Sequence, residues 1–264
     1  MKNYTNKARQ AGMTLIELTV VLLVLIGLAG LMIPYVGGFV SKTHDSVNSD
    51  ELAAVNGAIQ RYDVQFLGYP SDLDSLIETG SSTVYSKMMR SANFSSYQLK
   101  TDELKSLTSV GIKSVYDMNT VATDSATFAA TTGSSRTLTT AATTGNVAVM
   151  AQIGMGMAFN DMMCSSTFNG KVCDVTNNHY VAFGVGSKNK MIGRTISEAP
   201  VHFAKQGDMN AFNKYNRIVA VFEVPKDATA NTGKDAKFMG TVMPMMMTMG
   251  LGGALDSAYD DMSQ

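Results

Sequence analysis

Met13-Thr14-Leu15-Ile16-Glu17-Leu18-Thr19-Val20-Val21-Leu22-Leu23-Val24 opens an apolar run in which no charge follows Glu17 until Lys42. A helix needs roughly 20 apolar residues to cross about 30 Å of hydrocarbon, and this run supplies them. A polar leader carrying Lys2, Lys7 and Arg9 precedes it. Glu17 is the anomaly. A charge inside a membrane helix costs about 2.5–3.5 kcal/mol even on lenient scales, and it normally marks a partner and a function. No basic residue follows within a turn or two to act as that partner in the same chain.

Beyond Lys42 the pattern becomes amphipathic. Val47, Leu52, Val55, Ile59, Tyr62 and Phe66 recur at steps of three, four or five, which is one helical stripe. Asp45, Asn48, Asp50, Glu51, Asn56 and Arg61 take the opposite face. The spacing predicts a helix that continues past the membrane and is half covered by a globular head. Gly68-Tyr69-Pro70 stops it, because glycine weakens a helix and the residue before proline is pushed out of the α region. At 1.5 Å per residue, Met13 to Phe66 spans on the order of 80 Å. Gly27, Gly30, Pro34 and Gly37-Gly38 are places where the helix can soften or kink, or where the glycines admit a close neighbouring helix.

Gly12-Met13-Thr14-Leu15-Ile16-Glu17-Leu18 resembles the processing and methylation site of type IV prepilins and of the pseudopilins of type II secretion. The resemblance implies a cut between Gly12 and Met13 by a membrane aspartyl peptidase on the cytoplasmic side. It implies N-methylation of Met13 by the same prepilin peptidase/methyltransferase, and it makes Glu17 the fifth residue of the mature chain. The family most often has Phe where this chain has Met13, and it accepts Met. Pro34 matches a proline that the family often carries in its long helix. The organisation implied is a leader peptide over 1–12, a transmembrane and filament-core helix over 13–41, and an amphipathic helix half with a globular head over 42–264. The implied partners are identical or related pilin subunits, an inner-membrane assembly platform, and the membrane itself before assembly. The precursor would cross the inner membrane once with its head in the periplasm, then reach the cell surface in a pilus.

Physical chemistry agrees with that reading. In a filament, Glu17 of one subunit can meet the α-amine of Met13 on a neighbour. Opposite charges attract strongly in a low-dielectric bundle, and either one left alone is penalised. Negative charge near a helix N-terminus adds a few tenths to about 1 kcal/mol. Two other readings of the same run are an ordinary secretory signal peptide with a small-x-small cut at Gly27-Leu28-Ala29, and a plain signal anchor. The first leaves unexplained the acid at the head of the apolar core and the apolar residues that continue to Val40.

The head is read from weaker signals. Net charge is −1 and 16 % of residues are charged, so no basic field calls for nucleic acid. Roughly 190 residues follow the helix, enough for one domain with a core. Ser71-Asp72-Leu73-Asp74-Ser75-Leu76 predicts a capped short helix, within a stretch to residue 119 that mixes helical and turn signals. Gly68-Tyr69-Pro70-Ser71-Asp72-Leu73 also resembles the junction after the long helix in pseudopilins. Residues 120–146, rich in Thr, Ser, Ala and Gly with one Asp124 and one Arg136, predict an exposed loop, solvated or glycosylated. Tyr180 to Val185, Arg217 to Val224 and Phe238 to Met243 predict strands. Strands gathered after one long helix argue for an α+β fold: a long N-terminal α-helix, half membrane-spanning and half amphipathic, packed against an antiparallel β-sheet head. The resemblance implies the same fold.

Cys164 and Cys173 flank a segment whose Asn169-Gly170 is a turn signal, so a hairpin can bring the sulfurs together. Outside the cytoplasm they are expected to form a disulfide stabilising by about 2–3 kcal/mol, with two reduced thiols as the alternative. Pilins often hold a carboxy-terminal loop by a disulfide; this pair lies some 90 residues from the end. His44, His179 and His202 are scattered and no Cys-x-x-Cys occurs, so no metal site is expected. Twenty methionines concentrate in Met150–Met163 and in Met239, Met243, Met245, Met246, Met247 and Met249, which suits an adaptable core or subunit contact better than soft-metal binding. Asp256, Asp260 and Asp261 fit no calcium loop and read as a solvated acidic tail. No nucleophile elbow, phosphate loop or zinc motif occurs. The expectation is a filament subunit without catalysis or cofactor. The alternatives are a pseudopilin of type II secretion and a membrane-anchored or secreted binding protein that does not assemble.

Overall fold

A helix dominates the first quarter of the chain. In the computed structural model the described residues are 4–88, 94–119, 132–138, 146–150, 174, 176–201, 215, 217–226 and 234–242. Helix α1 (Tyr4–Phe66) begins inside the basic leader and continues through Pro34. The chain divides into two units, Met1–Val47 and Asn48–Gln264. In the first, Leu15–Met32 has a mean hydropathy of 2.6 and is long and apolar enough to cross a membrane.

In the second unit, the rest of α1 buries Leu52, Val55, Ala58, Ile59 and Tyr62, while Phe66 stays about half exposed. The helix ends where Leu67 takes a left-handed conformation (φ 54°), the turn common just past a helix C-terminus. Gly68 then runs against backbone: a Cβ there would lie 2.8 Å from the Val110 carbonyl oxygen, which accepts a 2.6 Å hydrogen bond from the Tyr69 N–H.

The sheet has eight strands: β1 (Leu73–Glu78), β2 (Phe94–Gln98), β3 (Ser114–Met118), β4 (Thr132–Thr137), β5 (Asn146–Met150), β6 (Asn178–Gly184), β7 (Val219–Pro225) and β8 (Lys237–Val242). Helix α2 (Thr101–Ser109) lies between β2 and β3 in sequence. The sheet forks at β6. One edge of β6 pairs with β7 from Asn178 to Gly184, and β8 follows β7. The other edge is shared: Val181 and Ala182 pair with β5, which leads to β2, whereas Gly184 pairs with Asp74 of β1, which leads to β3 and β4.

Both faces of the central strands are buried, so these strands read as continuous apolar runs. Val181, Phe183, Ala220, Phe222 and Val224 pack with α1 and with Leu104 and Leu107 of α2. Tyr180, Ala182, Val219, Val221 and Val242 face the opposite way, against Tyr85, Met88 and Tyr215. A fully buried side chain of this size stabilises by about 1.5–3 kcal/mol.

The structure corrects three sequence expectations. Ser71 to Leu76 is not a capped helix; it leads into and forms β1. The hydroxyl expected to cap a helix instead accepts hydrogen bonds from the Lys113 and Ser114 N–H groups at 3.1 and 2.9 Å. Asp72 and Leu76 are left-handed (φ 63° and 61°), which no α-helix accommodates. The sheet is mixed rather than antiparallel, because β1 pairs parallel with β3, Leu73 opposite Val115 and Asp74 opposite Tyr116. A parallel pair needs a long crossover, and the chain from β2 through α2 provides it. The Thr-rich stretch predicted as loop contains β4, held antiparallel to β3. The three strands predicted late in the chain are present as β6, β7 and β8.

Candidate assembly site

The residues expected to serve processing and assembly, Gly12, Met13, Glu17 and Pro34, lie on the first half of α1. Gly12 and Met13 lie on helical backbone, with the Met13 side chain outside the described residues. Glu17 follows Met13 by four residues, one turn along the same side of the helix, and its side chain is exposed. Thr19 spends its hydroxyl on the Ile16 carbonyl at 2.9 Å, so it adds no polar group to the surface around Glu17 that is not already satisfied.

Leu15–Met32 is wholly unburied; Leu31 keeps 75 % of its surface open. Among the described residues, nothing lies within 4 Å of where a Cβ on Gly27 or Gly30 would be. Close packing at those glycines therefore requires a helix from outside this unit. An apolar surface of this extent belongs in lipid or against other apolar helices, since exposure to water forfeits about 25 cal/mol per Å². Pro34 does not interrupt the helical backbone.

Several predicted features lie outside the described residues: Cys164 and Cys173, the His44 side chain, His202, the methionines from Met155 to Met163 and from Met243 onward, the three late aspartates, and residues 120–131 and 139–145 of the Thr-rich stretch.

The head holds three charged clusters that sequence reading did not single out. Tyr215 Oη donates to Asp74 Oδ2 at 2.7 Å, both fully buried, with Arg217 beside them. Burial pushes the Asp74 carboxyl up to about 6, against the pull of Tyr215 and Arg217. The Tyr215 phenol is held well above its usual range by burial and then by the Asp74 charge. In the second cluster Arg136 of β4 bonds Asp117 of β3, which also accepts from Ser75 Oγ of β1 at 2.7 Å. The third joins α2 to β6. Glu103, buried in the first turn of α2, accepts from the Lys100 N–H at 2.8 Å and from Tyr97 Oη at 3.3 Å, and its Oε1 lies 3.6 Å from His179 Nε2. The His179 ring stands 4.2 Å from that of Tyr97. Burial lowers the His179 pKa, partly offset by Glu103.

These clusters bind strands and helix to one another. Among the described residues no group of three or more His, Cys, Asp or Glu side chains gathers where a metal could sit. No local signal in the sequence marks the first of them, because 141 residues separate Asp74 from Tyr215.

No family model, curated protein or solved structure matches the chain. Its class is thus an α+β protein with one N-terminal helix apolar enough to cross a membrane.

Proposed function

We propose that this chain is a type IV pilin-like structural subunit: a membrane precursor cut between Gly12 and Met13, N-methylated on Met13, and polymerised through α1 into a filament. The observation that carries the reading is Leu15–Met32, eighteen residues without burial, with the lone acid Glu17 near its start and the Gly12-Met13 junction just before it in the same helix. A signal peptide or simple anchor has no use for a carboxylate at that position, whereas a helix bundle with free α-amines does. The head is then the part displayed outside the membrane, and identical or related subunits cover the apolar helix.

Intact mass and amino-terminal sequencing of the protein from membrane and sheared-surface fractions of its native host test this. A chain beginning at N-methylated Met13 in sheared fibres is the expected result. The same processed chain found only in the periplasm and membrane would assign it to a secretion pseudopilus. A chain beginning at Met1 or Gly30 would remove the assembly reading.

A further inference from the structure

Asp74 stands where the two branches of the sheet meet. Its pairing with Gly184 is the only β1–β6 ladder pair among the described residues. The strand is strained on either side of it: Asp72 and Leu76, each two residues away, hold positive φ angles that non-glycine residues rarely adopt. The carboxylate is fully buried. Oδ2 accepts from Tyr215, while Oδ1 has no hydrogen bond among the described residues.

The neighbouring backbone is shaped to admit this group. A Cβ on Gly186 would lie 2.2 Å from Asp74 Oδ1, and one on Gly184 would lie 1.8 Å from Tyr215 Oη. The titratable and charged groups facing Asp74 are Tyr215 and Arg217, with the Tyr85 ring edge-on behind Tyr215 at 6.5 Å. At and just past the end of β6, Gly184 and Gly186 bring no charged group. From β3, Tyr116 stands opposite Asp74 in the parallel ladder and Asp117 is turned to Ser75 and Arg136, while the nearby Asp72 lies 3.5 Å from Lys190 Nζ. Burial disfavours the ionised carboxylate, which has the Tyr215 hydrogen bond and the Arg217 charge to offset it only in part.

We propose that Asp74 is a proton-operated latch between the two branches of the sheet: protonated, it holds β1 on β6; ionised, it favours an open form in which β1, with β3, parts from β6 and the carboxylate reaches water. Opening then releases one proton from the Asp74 carboxyl to solvent. The closed form binds that proton near pH 6, the open form near the ordinary value of 3.8. Acid therefore tightens the latch and rising pH loosens it. With those two affinities, the open population rises about tenfold between pH 5 and pH 8.

Hydrogen exchange on the full chain in detergent micelles, corrected for the intrinsic pH dependence of exchange, reads this directly. Protection of the amides bonded across the Asp74–Gly184 pair is expected to fall about tenfold from pH 5 to pH 8, while the β1–β3 and β6–β7 ladders stay unchanged. Asp74→Asn should abolish the pH dependence. Tyr215→Phe, which keeps the ring and removes the donor to the charged form, should move the midpoint to higher pH. Protection across that pair independent of pH, or an equal fall in Asp74→Asn, would overturn the latch. If Asp74→Asn does not fold, an unmoved midpoint in Tyr215→Phe overturns it.

Discussion

Arg136 grips Asp117 with two nitrogens, Nε at 2.9 Å from Oδ2 and Nη2 at 2.9 Å from Oδ1, tying β4 to β3. Only 16 % of the arginine side chain and 10 % of the aspartate side chain are exposed, so the pair is not a solvent-screened surface bridge. Arg136→Lys keeps the charge and loses the planar fork. The expected cost is about 1–2 kcal/mol, a fall in melting temperature of about 2–8 °C for a head of this size. Circular-dichroism melting of the two proteins would check it, and equal midpoints would refute the clamp.

His179 gives the head a loss of stability on the acid side. Its pKa is depressed in the folded protein, chiefly by burial, so the unfolded chain takes up the proton first as pH falls through about 6.5. Asp74 acts in the opposite sense, because its raised pKa lets the folded form bind the proton first as pH falls through about 6. Urea unfolding midpoints at pH 7 and pH 5 separate the two. His179→Gln should retain more of its stability on acidification than wild type does, and Asp74→Asn should retain less.

Two glycine substitutions should move stability in opposite directions. Gly186→Ala drives a methyl group into the Asp74 carboxylate and should cost about 1–3 kcal/mol as overpacking does. Gly57→Ala, on α1 with nothing within 4 Å of the new carbon, should stabilise by about 0.5–1 kcal/mol through the helix backbone. Denaturant titration of both variants tests the pair. Stabilisation by Gly186→Ala would mean that Asp74 is not packed against that backbone.

Glu17→Ala tests the proposed assembly contact. Insertion into the membrane should be unaffected, since the change makes the span more apolar, while surface filaments should be lost or strongly reduced. Filament yield from sheared cells, compared with membrane content of the subunit, is the measurement. Normal filament abundance would remove the pairing between Glu17 and a neighbouring α-amine.

Legibility followed the range of the interactions. Of the helical stripe, Leu52, Val55, Ile59 and Tyr62 are buried as the period predicts, because each residue's face is set by its own position on α1, whereas Val47 and Phe66 at its ends stay about half exposed. The strands β6, β7 and β8 were legible because both of their faces are covered, leaving near-continuous apolar runs. Strand β1 was not: Ser71-Asp72 carries the composition of a helix cap, and only the β3 backbone, more than forty residues on, shows where its hydroxyl is spent. Strand β4 contains no apolar residue, so only its ladder with β3 and the Arg136–Asp117 pair reveal it.

Local sequence sets the apolar span from Leu15, the lone acid Glu17 close to Gly12-Met13, the amphipathic continuation of α1 and its stop before Pro70, since each rests on residues within a few turns of one another. The tertiary structure alone decided the fork at β6, the parallel pairing of β1 with β3, and the burial of Asp74 against Tyr215 and Arg217. Those features depend on which distant strands share an edge, and neither periodicity nor composition encodes that until the backbone hydrogen bonds of one segment are satisfied by another.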